Sequence, residues 1–260
     1  MQALSAQVES PVPATLEVRL ARCAAEVQAA QRLRYRVFAL EQGARVQGAE
    51  LGLDRDAFDP HCDHLIARDT ASGQVVGTYR LLPPERARAL GRYYSEAEFD
   101  LSALAPVRAQ ILEVGRSCVH PDYRTGAAIA RLWAGLARYV LESGAGYLMG
   151  CASIGMADGG VQARRICGEL HRTSLAPDRW RTRPLRPLPA SDGLADSRDE
   201  RVRVAMPPLL KGYQRLGAWV CGEPAWDPAF GTADLLLLLP VSRIASRYAH
   251  HFLKPLDAAA

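Results

Sequence analysis

The largely apolar run Ile111–Val119 carries one carboxylate, Glu113, and one guanidinium, Arg116. It passes through His120-Pro-Asp-Tyr-Arg-Thr-Gly126 into an apolar-periodic stretch, Ala127–Leu141. A short apolar run bounded by turn residues reads as a buried strand, and the 3.6-residue spacing that follows reads as a helix packed on it. A charge buried in a sheet is costly unless it is paired. Strict alternation places residues three apart on opposite faces of a strand. Gly115, between the two charges, can host a bulge that re-aims both to one side. Two readings stay open here: a structural ion pair and a functional carboxylate. The turn before the helix is also ambiguous. Free N–H groups and a positive dipole end suit a phosphate, and Arg124 adds charge there, but an ordinary strand–turn–helix with a solvated Arg124 has the same spacing.

Around this unit the chain alternates strands and helices. Thr15–Leu20 alternates as a strand, and Ala24–Leu40 has helical spacing at Val27, Ala30, Leu33, Val37 and Phe38. Residues 42–61 read as loop. His64–Asp69 and Val75–Leu82 read as a hairpin closed by Thr70-Ala-Ser-Gly73 and stopped by Pro83-Pro84. Tyr147–Ile154 is a strand, Gly160–His171 a helix, Ala176–Ser197 an exposed loop and Pro207–Leu216 a short helix. Ala218–Cys221 and Asp234–Pro240 are late strands, and Ser242–Phe252 a terminal helix. The pattern predicts an α/β fold with a mixed central sheet and helices on both faces. A tail over residues 1–13 is expected to precede a single domain over 14–255.

Composition narrows the functions. With 48% hydrophobic and 23% charged residues, the 260-residue chain is of ordinary globular composition. Its apolar runs fall short of a membrane helix. The N-terminus has neither the basic nor the apolar region of a secretory signal, so a cytoplasmic protein is expected. The six cysteines form no CxxC pair, and His61-Cys-Asp-His64 is too crowded for a standard zinc site, so no metal is expected. No GxGxxG, Walker A or GxSxG pattern occurs. Seven arginines, among them Arg164, Arg165 and Arg172, fall within residues 164–186 beside only two acids. They make either a solvated face or a docking surface for an acidic partner. Without interleaved aromatics they do not suggest nucleic acid. Asp54, Asp56, Asp59 and Asp63 fall in or beside a loop, where they can be solvated or can hold a cationic substrate.

Arg34-Tyr-Arg-Val-Phe38, Gly77-Thr-Tyr-Arg-Leu-Leu-Pro83 and Glu113-Val-Gly-Arg116 together resemble the acyltransferases that use acyl carrier protein on a GNAT-like fold, including the acyl-homoserine-lactone synthases. Cys62-Asp-His-Leu65, Glu113–Pro121, Pro207–Trp219, Gly222–Asp227 and Thr232–Asp234 extend this to a closer resemblance, to bacterial L-ornithine N-alpha-acyltransferases, over about residues 15–254. The resemblance implies transfer of a 3-hydroxyacyl chain from acyl carrier protein to the alpha-amine of ornithine. The donor rides on phosphopantetheine, and no separate cofactor is needed. Ala127 stands where the first glycine of a GNAT pyrophosphate loop would fall, which fits a carrier-protein donor better than coenzyme A.

On this resemblance Glu113 is the candidate base, with Arg116 as its partner and Tyr213 as proton donor to the leaving thiolate. Arg34, Phe38, Arg80, Ser117, Cys118, Val119 and Arg124 are candidate substrate contacts, and Asp59 and Asp63 are candidates for the distal ammonium of ornithine. Arg164, Arg165 and Arg172 would dock the carrier protein, and the inner membrane surface is a further candidate contact. The alternatives are an acyl-homoserine-lactone synthase, which the long segment Pro207–Pro255 disfavours, another N-acyl amino acid synthase, and a non-catalytic carrier-protein or lipid-surface binding module, which the presence of both Glu113 and Arg116 disfavours.

Overall fold

A computed structural model describes residues 16–189 and 206–244. The expected tail over 1–13 and most of the expected terminal helix lie outside these residues. The elements in chain order begin with β1 (Leu16–Leu20), α1 (Ala24–Arg34), β2 (Asp63–Asp69), β3 (Val75–Leu82), α2 (Pro84–Leu90), β4 (Phe99–Asp100), β5 (Ile111–Val119) and α3 (Gly126–Ser143). They continue with β6 (Tyr147–Gly155), α4 (Val161–Ser174), β7 (Arg183–Pro184), α5 (Pro208–Leu216), β8 (Trp219–Val220), β9 (Ala225–Asp227) and β10 (Thr232–Pro240).

One mixed sheet carries the fold, in the order β1-β2-β3-β5-β6-β10-β8, with β9 on β10. All its pairs are antiparallel except β5–β6. The predicted β2–β3 hairpin and the strand–turn–helix unit β5–α3 are present. Thr125 caps α3 by accepting from Ala128 N through its hydroxyl, and Gly144, at φ 65°, ends it. The apolar face of α3 (Ala128, Leu132, Leu136, Val140) packs on one face of the sheet with Leu65, Val76, Leu112, Leu148 and Leu237. The other face buries Ile111, Met149, Leu236 and Leu238 against Tyr93, Phe99, Leu104 and Trp180. Gly77 allows this packing, because a Cβ there would stand 2.7 Å from Leu132 Cδ1.

Three departures from the sequence expectation matter for the site. The helix of α1 continues to Glu41 as a π-helix, Tyr35–Glu41, a widened turn common at functional sites. The stretch after Pro83 contains α2 and 3-10 turns at Tyr94–Ala97 and Ser102–Gln110. Strand β10 begins at Thr232 rather than Asp234, and β9 pairs with its start.

Candidate active site

β5 and β6 pair only at Ile111–Tyr147, Leu112–Leu148 and Glu113–Met149. Beyond that point the two strands run on without pairing, and a cavity of about 300 Å³ lies between them. Its walls are Val114–Ser117 on one side, Leu148–Ser153 on the other, and Leu209 and Tyr213 of α5. Gly150 sits at the divergence, where a Cβ would collide with the Val114 carbonyl. On this edge the β5 backbone has no ladder partner. Its polar groups are therefore available to a ligand.

A bulge interrupts β5 opposite β3. Thr78 faces Cys118 and Arg80 faces Gly115, which leaves Arg116 and Ser117 opposite Tyr79. Arg116, at φ 49°, is the one non-glycine residue with positive φ among those described. Such a conformation costs of order 1–3 kcal/mol and persists only where surrounding contacts fix it. The bulge brings Glu113 and Arg116 to one cavity, as the position of Gly115 suggested. It does not pair them. Glu113 instead receives three donors from the 3-10 turn at Tyr94. Tyr94 N–H donates to Oε2 at 2.7 Å, Ser95 N–H to Oε1 at 2.8 Å, and Ser95 Oγ to Oε1 at 2.6 Å. Burial pushes the Glu113 carboxyl up, and these donors oppose the shift.

The partners of Arg116 are aspartates. Its Nε lies 3.1 Å from Asp54 Oδ2 and its Nη2 lies 3.5 Å from Asp56 Oδ2, while Nη1 donates to Tyr94 Oη at 3.2 Å. Its guanidinium stands over the rings of Tyr94 and Phe230, 4.8 Å from each. Arg80 meets Asp56 at 2.7 Å and Asp59 at 3.5 Å. Arg34, fully buried, meets Asp54 at 3.0 Å and Asp59 at 2.7 Å. Three arginines and three aspartates thus neutralise one another behind the cavity.

This arrangement corrects several expectations. The Glu113–Arg116 pair is absent, because each group already has closer partners. Arg34 and Asp59 are committed to each other and do not line the cavity. Asp63 is held by Arg86 at 2.8 Å and by the Tyr139 hydroxyl at 2.6 Å, also away from it. The expected ammonium site at Asp59 and Asp63 is therefore filled by the protein's own donors. Cys118 is buried beside Ile66 and Val75, and burial pushes its thiol up to about 12. Arg124 pairs with Glu41 at 2.6 Å and donates to the Val119 carbonyl at 3.1 Å. Neither Cys118, Val119 nor Arg124 lines the cavity. The residues of His61-Cys-Asp-His64 are drawn to different partners, with His64 Nε2 3.1 Å from the Asp59 carbonyl.

Phe38, Arg80, Glu113, Arg116, Ser117 and Tyr213 do come together in the cavity wall. Phe38 reaches it from the π-helix and packs edge-on against Phe230 at 5.9 Å. Burial raises the phenols of both Tyr213 and Tyr79, and the neighbouring Tyr79 adds to the shift of Tyr213. Of the basic segment, Arg165 and Arg172 of α4 are exposed, Arg172 being paired with Glu169, and Arg164 donates to the Gly160 and Pro189 carbonyls.

Sequence reasoning missed Tyr94, Ser95, Glu98, Asp227, Phe230 and Asp234 as cavity residues. The carboxylate oxygens of Glu98, Asp227 and Asp234 lie within 4.8 Å of one another. Burial, then the neighbouring acid, drives the Glu98 carboxyl well above the ordinary range, and burial raises Asp234. A raised carboxyl binds its proton more tightly in the folded state. Its stabilisation is complete below the unfolded pKa and fades as pH rises toward the folded one. His64 and His120 are shifted down by burial and act in the opposite sense, so the informative quantity is a difference. The Tm of the wild type relative to Glu98→Gln is expected to fall as pH is raised from about 5 to about 8. A difference that stays constant in differential scanning calorimetry would contradict a raised Glu98.

A carboxylate of raised pKa and, farther along the same strand, unpaired backbone suit one class of chemistry. An amine on the carboxylate side can attack a carbonyl held along the strand, with backbone N–H groups meeting the developing oxyanion. Comparison with known proteins agrees. The family described as acetyltransferase (GNAT) domain matches residues 33–134. The chain is similar to the L-ornithine N(alpha)-acyltransferase of Brucella abortus (strain 2308), with 42% identity over 92% of this chain and 89% of that protein. The protein of the same name from Rhodobacter capsulatus shares 40% identity over 94% of this chain and 97% of its own. Among solved structures, a CoA-dependent acyl-homoserine lactone synthase superposes with a TM-score of 0.50 at 15% identity, over 90% of this chain and 95% of that one, a likeness of fold. With relatives this similar along nearly the whole length, the chain belongs to the L-ornithine N(alpha)-acyltransferase family and carries its acyltransferase domain on a GNAT fold.

Proposed function

We propose that the protein transfers a 3-hydroxyacyl chain from the phosphopantetheine thioester of an acyl carrier protein to the alpha-amine of L-ornithine, giving lyso-ornithine lipid. The observation that carries this reading is the identity of 42% over 92% of the chain with a protein named for ornithine acylation. The cavity supplies the chemistry. The neutral alpha-amine attacks the thioester carbonyl carbon, the C–S bond breaks, and the sulfur leaves as thiolate. The proton lost by the amine passes to Glu113, directly or through one water, and returns to the thiolate. Glu113 has three of its lone pairs occupied by Ser95 and Tyr94, so loop and carboxylate act as one rigid unit. Arg80 and Arg116 lie where they can meet the acceptor carboxylate. Tyr213, with its phenol raised, suits a hydrogen bond to the leaving sulfur better than full proton transfer. Leu148, Leu209, Leu237 and Leu239 give the acyl chain an apolar wall.

The donor half of the reading rests on Ala127 in the first turn of α3 and on the exposed arginines of α4 and the segment after it. Arg164, Arg165 and Arg172 are proposed to meet the acidic carrier. The product is a single-chain amphiphile, and the same reading includes delivery at a membrane face, where exposed Leu185 lies between Arg183 and Arg186. No helix among the described residues is long and apolar enough to cross a membrane. Steady-state kcat/KM with matched acyl chains is expected to favour the carrier-protein thioester over the coenzyme A thioester by at least about 10-fold, about 1.4 kcal/mol of transition-state binding. Equal values for the two donors would remove the carrier protein from the reading.

A further inference from the structure

The two acidic groups near the cavity differ in one respect. Asp54, Asp56 and Asp59 each lie against an arginine. Glu98, Asp227 and Asp234 have no ion-pair partner among the described residues, although all three line the cavity and their oxygens lie within 4.8 Å of one another. Asp234 is only 4% exposed, and its Oδ1 accepts from Thr232 Oγ1 at 2.9 Å. Glu98 Oε2 is shut off from solvent and receives no hydrogen bond from a backbone N–H or a basic side chain among the described residues, and Glu98 faces another acid, Asp234. A buried carboxylate oxygen left without a donor is unfavourable unless something else supplies one. The cluster also connects to the proposed base. Glu113 accepts from Ser95 Oγ, Ser95 Oγ lies 3.5 Å from Cys151 Sγ, and Cys151 adjoins Glu98.

We infer that Glu98, Asp227 and Asp234 form the subsite for the distal ammonium of the acceptor amino acid. This rests on the proposed acylation of ornithine and names the side chains that select a diamino acid. With its alpha-amine toward Glu113, ornithine would extend along the Ser95–Cys151 floor and place its second ammonium among the three carboxylates. The ammonium would give Glu98 Oε2 the basic donor it lacks. In the unliganded protein the crowded acids hold extra protons instead, Glu98 and Asp234 both being raised by burial. Ornithine binding therefore releases a proton that an acceptor without the distal amine does not release. The groups facing Glu98 are Asp234, Asp227, Cys151 and Ser95. Because Glu98 rests protonated, glutamine copies its resting state and Glu98→Gln is expected to fold.

The test compares ornithine with norvaline, the same amino acid without the distal nitrogen, using one acyl carrier protein donor. The wild type is expected to prefer ornithine. Glu98→Gln and Asp234→Asn should each reduce the ornithine-to-norvaline ratio of kcat/KM by about 10- to 100-fold. Calorimetry in two buffers should show proton release with ornithine in the wild type and its loss in Glu98→Gln. An unchanged ratio in folded variants overturns the inference, as does an equal fall for both acceptors. So does loss of the ornithine preference on chelation, which would make the cluster a metal site. A wild type that acylates both acceptors equally refutes the subsite alone. A wild type that acylates neither refutes the functional reading beneath it.

Discussion

Glu113→Gln is expected to lower kcat for ornithine acylation by about 100-fold or more. The amide cannot take the amine proton. Its Nε2 would also face the Tyr94 N–H or the Ser95 donors, where the carboxylate now accepts three hydrogen bonds. Some loss of stability accompanies the change, so Ser95→Ala serves as the companion variant. It deletes one donor and keeps the carboxylate. If Glu113 moves the proton, Ser95→Ala keeps most of the rate and shifts the pH profile of kcat upward, because one hydrogen bond holding the pKa down is lost. Single-turnover rates and melting curves on the same preparations separate the cases. A folded Glu113→Gln enzyme with a normal single-turnover rate would take Glu113 out of the mechanism.

Arg34→Met is expected to be the most destabilising change in the site region, by about 3–5 kcal/mol. It leaves Asp59 with Arg80, at 3.5 Å, as its remaining arginine partner and Asp54 with Arg116, at 3.1 Å, both deeply buried. For a chain of this size the Tm should fall by roughly 10 °C. Adding Asp59→Asn should recover part of that loss, the mark of direct coupling in a double-mutant cycle. Rate per folded molecule should change little. A variant of unchanged Tm whose KM for ornithine rises would return Arg34 to the substrate contacts.

The frame of this molecule was readable because its strands and helices obey simple periods. Val75–Leu82 is an unbroken buried strand stopped by two prolines, and Ala127–Leu141 keeps one apolar stripe. The bulge was foreshadowed by Gly115 between two charges, and Phe38 and Arg80 by their motifs. The partners of those charges were not readable. Arg116 lies sixty-two residues from Asp54 in sequence, and only the folding of the loop after the π-helix beneath β3 brings them together. Ser95 gave no signal, since short 3-10 turns have no apolar period to detect. Glu98 is one of three acids between Glu96 and Asp100, and nothing in their spacing sets it apart. It meets Asp234 only because β10 lies beside β6, placing Asp234 opposite Ser153. Sequence spacing likewise marked Asp59 and Asp63 as free acids, because it cannot register that Arg34, Arg86 and Tyr139 converge on them.

The identity of the bond made tests the proposed function most directly. Purified protein, loaded 3-hydroxyacyl carrier protein and an equimolar mixture of ornithine and S-adenosylmethionine can be mixed for a single turnover and the products resolved by mass spectrometry. The expected products are 3-hydroxyacyl-ornithine with the amide on the alpha nitrogen, and free carrier thiol in equal amount. Formation of an acyl-homoserine lactone, or an intact thioester beside unmodified ornithine, would contradict the proposed function.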